Sequence, residues 1–221
     1  MEDFQNVIYR NGAADFEVKP SEMDEVDYSR FTALITAGTV FAGQPSRDAT
    51  FRAFENARSQ GIPVIFDIDY RPYSWPSAQV ASEVLSRAGE ASDMIVGNDE
   101  EFGFMAGGID KGLNKARDLA SEGNRLIIYK MGKEGAITLY NNEEIKTGIF
   151  PTQAVKPNGA GDSFMAGLLS SLAAGYDLKN SVIRGSACAS IVVSLPGCAP
   201  AMPDEDQLND YILNNPIKDV Q

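Results

Sequence analysis

The stretch Ile62-Pro63-Val64-Ile65-Phe66-Asp67-Ile68-Asp69 is apolar at successive positions, not at alternate ones, until acids enter near its end. A strand of this kind is buried on both faces, the condition of a strand inside a parallel sheet that helices cover from either side. Its neighbours fit that setting. Ser46 opens a helix with Phe51, Phe54 and Ala57 on one face, stopped by Gly61, and a second helix runs from about Ser77 to Ala88. The strand Met94 to Val96, a helix from about Leu113 to Glu122 and the strand Leu126 to Lys130 repeat the unit. Upstream, Asn6 to Tyr9 reads as a short strand before the turn-like Arg10-Asn11-Gly12. The acidic Glu22 to Arg30 covers a helix and a loop, and Phe31 to Thr36 is a strand ending at Ala37-Gly38-Thr39. Strand, helix and strand recurring in this way require right-handed crossovers and an α/β, doubly wound, mostly parallel sheet with helices on both faces.

Ala136 to Tyr140, the Asn141-Asn142 turn and Glu144 to Phe150 read as a hairpin. A helix then runs up to Leu172, and a second, small-residue helix runs from about Leu178 to Ser194 and stops at Pro196-Gly197. Asp204 to Leu213 is a polar surface helix, and residues 214–221 are expected to fray. With no internal repeat and no flexible linker, the 221 residues are expected to form a single domain.

In such sheets ligands bind beyond the carboxyl ends of the strands. Here those ends carry Asp69-Tyr70-Arg71-Pro72-Tyr73-Ser74-Trp75, Gly97-Asn98-Asp99-Glu100-Glu101 and Lys130-Met131-Gly132-Lys133-Glu134-Gly135. A fourth polar stretch, Lys156-Pro157-Asn158-Gly159-Ala160-Gly161-Asp162, opens a helix whose apolar face is Phe164, Leu168, Leu169 and Leu172. Gly159 and Gly161 let the backbone turn tightly, and the unpaired N–H groups of the helix start suit a phosphate or a developing oxyanion. Asp162 is placed there to take a proton; the same residues also fit a plain connection with an acid that supports the helix dipole.

The charge balance excludes other partners. A formal net charge of −12 leaves no general basic surface for nucleic acid or an anionic membrane, and no apolar run is long enough to span a bilayer. The first residues have neither the basic start nor the apolar stretch of a signal peptide, so the chain reads as cytoplasmic. With no histidine, an imidazole base and a His-ligated metal are out. Cys188 and Cys198 have no zinc or disulfide spacing and are expected to be buried thiols. An anionic ligand would need local counter-charges, for which Arg71, able to bind a carboxylate bidentately, and Lys156 are the candidates; Asp69 is equally placed to pair with Arg71. Tyr73 and Trp75 fit either ligand stacking or packing.

Asn98 with Glu101, the Gly132/Gly135 loop and Gly-Ala-Gly-Asp at 159–162 come in the order and spacing of the ribokinase-like sugar kinases, the PfkB family, which this chain resembles from about residue 6 to about residue 213. The stretches 67–75, Lys156-Pro157 and 197–203 resemble the branch that phosphorylates 5-dehydro-2-deoxygluconate in inositol catabolism; 2-keto-3-deoxygluconate or fructose are the alternatives within the family. The resemblance implies an ATP-dependent sugar kinase with Asp162 as general base and the amides of Gly159, Ala160 and Gly161 as the hole for the transferred phosphoryl. It implies that Asn98 and Glu101 organise Mg²⁺ through water, although a helix cap with its first-turn acid explains the same spacing. Lys130, Gly132 and Gly135 would lie beside the nucleotide, and Ser186 would fall near the adenine, where a small residue packing two helices is the other reading. Asp69, Arg71, Lys156 and Arg10 would meet the sugar or sugar acid.

The family also leaves room for a monovalent cation and for self-association. Its full-length members begin with further chain carrying a first sheet strand, most of the sugar-binding acids and a lid. The resemblance therefore implies an N-terminally truncated form, with 1–20 as a lid remnant in which Arg10 and Asn11 survive as substrate contacts, and with a non-catalytic nucleotide-binding remnant as the alternative to an active kinase. Asn158 stands where a Thr or an aromatic residue is more usual, which alters local shape and leaves the glycines intact.

Overall fold

The computed structural model describes residues 10, 12–123, 125–156 and 158–218. The expected strand Asn6 to Tyr9, Asn11, Pro157 and the last three residues of the tail lie outside them. The chain divides into two compact units, residues 10–130 with Thr138–Glu144 and Met131–Ile137 with residues 145–218.

In the first unit, β1 (Leu34–Ala37), β2 (Val64–Asp67), β3 (Met94–Asn98) and β4 (Leu126–Lys130) are parallel neighbours in chain order. Val64, Ile65 and Phe66 of β2 are all buried, as an unalternating apolar strand requires. The expected strand over 62–69 is shorter in fact. Ladder bonds still reach Pro63, whose carbonyl accepts from Leu34, and Ile68, whose amide donates to Val96, but the positive φ of Asp69 (32°) then turns the chain away. The first strand also starts later than expected. Phe31 closes the 3-10 turn Tyr28–Arg30 and lies 54% exposed, so pairing begins at Leu34.

The helices α2 (Ser46–Ser59), α3 (Ala78–Glu90), α4 (Asp99–Met105) and α5 (Gly112–Gly123) connect these strands. The core beneath α2 is aromatic: Phe41 lies 5.0, 5.8 and 5.9 Å from the rings of Phe51, Phe54 and Phe66, tilted or edge-on, as ring quadrupoles prefer. The acidic stretch before β1 yields only the short α1 (Pro20–Asp24), tied to α2 by Arg52 Nε on Asp24 at 2.6 Å. β5 (Ala136–Tyr140) and β6 (Glu143–Thr147) continue the sheet order past β4. Asn141 and Asn142 both have φ above zero, at 51° and 63°, the conformation a two-residue hairpin demands and asparagine tolerates.

In the second unit β6 stops three residues short of the expected Phe150. Ile149 forms an antiparallel bridge with Lys218, whose carbonyl would lie 1.8 Å from any Cβ on Gly148, and Phe150 turns into a core with Ala187, Cys188 and Leu208. That core lies between α7 (Leu178–Ser194) and α8 (Glu205–Asn214), and α6 (Ala160–Ala173) packs on α7. Helices α6 and α7 approach through glycine: a Cβ on Gly185 would meet the Phe164 carbonyl at 2.8 Å, and one on Gly167 the Cys188 sulfur at 2.7 Å. Arg184, 6% exposed, ties all three helices through Ser171 Oγ at 2.9 Å, Asn209 Oδ1 at 2.7 Å and Glu205 Oε1 at 2.5 Å. A buried guanidinium is tolerated when its donors are satisfied in this way.

Burial pushes the Cys188 thiol up to about 11. Cys198 is exposed, contrary to expectation, because α7 ends at Ser194 and Gly197, at φ 83°, turns the next residue outward. Among the described residues no helix is long and apolar enough to cross a membrane.

The glycine contact yields a stability test. Gly185→Ala forces α6 and α7 apart and should cost about 1–3 kcal/mol in urea unfolding, as overpacked cores do; an unchanged midpoint and slope would show that the two helices can separate without loss.

Candidate active site

The glycine turn is built by the end of α7. The amides of Val155 and Lys156 both donate to the carbonyl of Val193, at 2.8 and 3.2 Å, so the strand-like approach to the turn caps that helix. Lys156 Nζ donates to Asn158 O at 2.8 Å and Val192 O at 3.4 Å, and lies 3.7 Å from Cys198 Sγ. Its ammonium thus fastens the turn to α7. Gly159 comes next in a left-handed conformation, φ 82° and ψ 1°, and a Cβ there would lie 3.1 Å from both Cβ and Sγ of Cys198. Backbone angle and space both call for glycine.

From that turn α6 starts at Ala160, two residues ahead of Asp162. Ser163 closes the first turn with its amide at 2.9 Å and its hydroxyl at 2.6 Å from Gly159 O. The amides ahead of it have no intrahelical acceptor, and they face outward at the positive end of a helix of 14 residues. Asp162 is exposed in that first turn, and among the described residues nothing donates to its carboxylate. An open carboxylate beside unpaired amides can accept a proton next to a place where negative charge is stabilised.

In the other unit, the carboxyl ends of β2, β3 and β4 bring Asp69, Arg71, Glu101 and Lys130 together with Asp67. Asn98 and Glu101 form a reciprocal cap on α4, each side chain 2.8 Å from the other's amide, so the cap expected as one reading of this pair is present. Burial raises the Glu101 carboxyl above its ordinary range, and Lys130 and the Asn98 amide pull the other way. Arg71 Nη2 lies 2.5 Å from Asp69 Oδ1, and its Nη1 donates to Tyr70 O at 3.3 Å.

Asp67 is the acid that the sequence pattern alone did not single out. Burial raises its carboxyl from 3.8 to about 7; Lys130 lowers it, Glu101 and Asp69 raise it, and the Asp69 amide lowers it slightly. The available signal was an acid closing an otherwise apolar run. Among the described residues no three carboxylate or thiol side chains converge closely enough to hold a metal directly. Mg²⁺ keeps several of its waters and takes one or two carboxylates, so the donors here suit an ion held through water at Glu101.

The remaining candidates lie in three places. Gly132 and Gly135 have φ of 53° and 87° and make a tight turn in which Met131 donates to Gly135 O at 2.8 Å. Ser186 is buried in α7 beside Gly185, six residues before Val192 and hence roughly 9 Å along the helix from the glycine turn. Arg10 donates to Thr39 O at 3.1 Å just past β1, pairs with Asp15 and stacks on Phe16 at 4.2 Å. Of the two aromatics past β2, Trp75 is packed inside, with Arg47 5.7 Å over its ring, whereas Tyr73 is 44% exposed.

Residues 3–205 match the model of the pfkB family of carbohydrate kinases. The chain is 36% identical over 214 residues to the 5-dehydro-2-deoxygluconokinase of Geobacillus kaustophilus, covering 95% of this chain and 64% of that protein. It is 37% identical over 212 residues to the enzyme of the same name from Photobacterium profundum, covering 93% of this chain and 64% of that protein. The chain thus spans 64% of the length of these relatives. A fructokinase with bound ATP from Xylella fastidiosa superposes with a TM-score of 0.81 at 18% identity, over 91% of this chain and 67% of that one, a likeness of fold.

The raised Asp67 carboxyl gives a pH test. Its folded value of about 7 lies above the ordinary 3.8, so the stability it contributes is full below about pH 4 and is lost as pH rises through 7. Asp67→Asn cannot ionise, and its stability relative to the parent should therefore rise by roughly 1–4 kcal/mol between pH 4.5 and pH 8 in urea unfolding. The same offset at both pH values would show that Asp67 is not held protonated by its burial.

Proposed function

Because this chain belongs to the pfkB family of carbohydrate kinases, we propose that it serves the ATP-dependent phosphorylation of a sugar hydroxyl, with 5-dehydro-2-deoxygluconate as the acceptor. The observation that carries the reading is the left-handed Gly159 opening α6 with an exposed Asp162 in its first turn. Phosphoryl transfer asks a protein for positioning and charge neutralisation more than for covalent chemistry, and a helix N-terminus supplies both. Asp162 takes the proton of the attacking hydroxyl, and the amides of Gly159, Ala160 and Gly161 receive the charge on the transferred group. Gly159 supports this role by holding those amides outward without a side chain in the way.

Glu101, kept in place by the Asn98 amide, holds the waters of Mg²⁺, with Asn98 as its partner. When bound, the ion neutralises phosphate charge. Lys130 contributes a point charge for phosphate, and the Gly132–Gly135 turn lets nucleotide approach the backbone. Ser186, buried in α7 beside Gly185, serves the packing of that helix in this reading. The same reading leaves room for a monovalent cation and for self-association.

The substrate choice rests on the names of the relatives and on Arg71. A half-exposed guanidinium in a chain of net charge −12 is a counter-charge for a sugar carboxylate, and Asp69 accompanies it. Lys156 supports the glycine turn that it fastens, and Arg10, paired with Asp15, supports the segment after β1.

Two measurements test this. Asp162→Ala should lower kcat by about 10²–10⁴-fold while nucleotide affinity stays within a few-fold, because a base acts in the transition state; equal losses in both would remove the general-base role and favour a module that only binds nucleotide. Arg71→Ala should lower kcat/KM for 5-dehydro-2-deoxygluconate by about tenfold or more beyond its effect on fructose, and equal effects on the two sugars would remove the carboxylate contact.

A further inference from the structure

Three described residues other than glycine have left-handed backbones: Asn141, Asn142 and Asp69. The asparagines sit in a hairpin turn that demands it. Asp69 does not, since it comes after a buried parallel strand, and its φ of 32° has another cause. The Ile68 carbonyl packs against Gly38 so closely that a Cβ there would lie 1.9 Å from the oxygen. The Ile68 side chain is fully buried, and its Cδ1 would lie 2.5 Å from a Cβ on Gly97 of β3. Two glycines on neighbouring strand ends therefore fix residue 68 from both sides, and the turn away from the sheet falls on Asp69. The result is directional: the Asp69 carboxylate meets Arg71 Nη2 at 2.5 Å. With Nη1 on Tyr70 O, three of the five guanidinium donors have no partner among the described residues.

We propose that Gly38 and Asp69 are positioning residues for Arg71, presetting its guanidinium for the carboxylate of an acidic sugar and so setting the preference for acidic over neutral acceptors. This rests on the reading of the site as a sugar-acid kinase. The sign of the effect separates it from simple electrostatics. Asp69 carries a negative charge next to the place where an anionic acceptor binds, so removal of that charge alone would strengthen binding of the acid. Removal of a latch has the opposite result, because a long, half-exposed arginine must then be immobilised by the ligand itself.

The experiment compares Asp69→Gly, Asp69→Asn and Gly38→Ala with the parent. Glycine and asparagine both accept a left-handed backbone, but only asparagine retains an acceptor for Arg71. The readout is the ratio of kcat/KM for 5-dehydro-2-deoxygluconate to that for fructose. Asp69→Gly should lower the ratio about tenfold, mainly through KM for the acid. Asp69→Asn should stay nearer the parent, and Gly38→Ala, which displaces the Ile68 carbonyl without touching any charge, should behave like Asp69→Gly. If Gly38→Ala does not fold, the contrast between the two Asp69 variants decides.

A ratio that rises or holds in Asp69→Gly overturns the positioning role and leaves the acidic-substrate reading intact. A parent that shows no preference for the acid overturns that reading, and this proposal with it. If the chain turns over neither sugar, the same ratio is read as dissociation constants by calorimetry, and an absence of binding by the acid overturns both.

Discussion

Strands that run in one direction have no choice about where their carboxyl ends go: they arrive at one rim, and the residues just past each strand become neighbours of those just past the next. The pairing of Asp67 with Val96 and of Asn98 with Lys130 is therefore also a statement about chemistry. It gathers three carboxylates and two cations, scattered over more than sixty positions of sequence, into one electrostatic neighbourhood in which Asp67 and Glu101 both feel Lys130. Burial does the rest. It raises both carboxyls and makes the capping bond from Asn98 to Glu101 a structural necessity as well as an orienting device.

The glycine turn obeys a different logic, in which a helix is started by the end of another. The approach at Val155 and Lys156 commits both amides to the Val193 carbonyl near the end of α7, and the chain enters α6 by reversing at Gly159. Cys198, just past α7, occupies the space a side chain on Gly159 would need. The outward amides thus depend on contacts made by residues thirty or more positions later, and on the close approach of α6 to α7 through Gly167 and Gly185.

Much of this is visible in the chain before any fold is known. The unbroken apolar run of β2, the helical spacing after Asp162, the spacing of Asn98 and Glu101 and the Asn141-Asn142 turn each report local physics, and each is found where that physics puts it. Phe31 and Cys198 were less legible because adjacent turns override their hydropathy, the 3-10 turn ending at Arg30 delaying β1 and Gly197 turning Cys198 outward, whereas Lys156 is claimed by the Asn158 carbonyl together with the distant Val192 carbonyl of α7. Gly38 is the extreme case. Nothing in Ala37-Gly38-Thr39 announces that a carbonyl thirty residues on will rest against it.

Two of the cations assigned to anions, Arg71 and Lys156, are held in unlike ways. Arg71 sits against a carboxylate, so at a distance the pair looks to an approaching solute like a dipole whose field dies away quickly. Lys156 is held by neutral carbonyl oxygens, which orient it without cancelling its charge. Its monopole persists out to about a Debye length, roughly 8 Å at physiological ionic strength. On a chain of net charge −12, a cation held in this way weakens the general repulsion of anions beside the turn before Gly159.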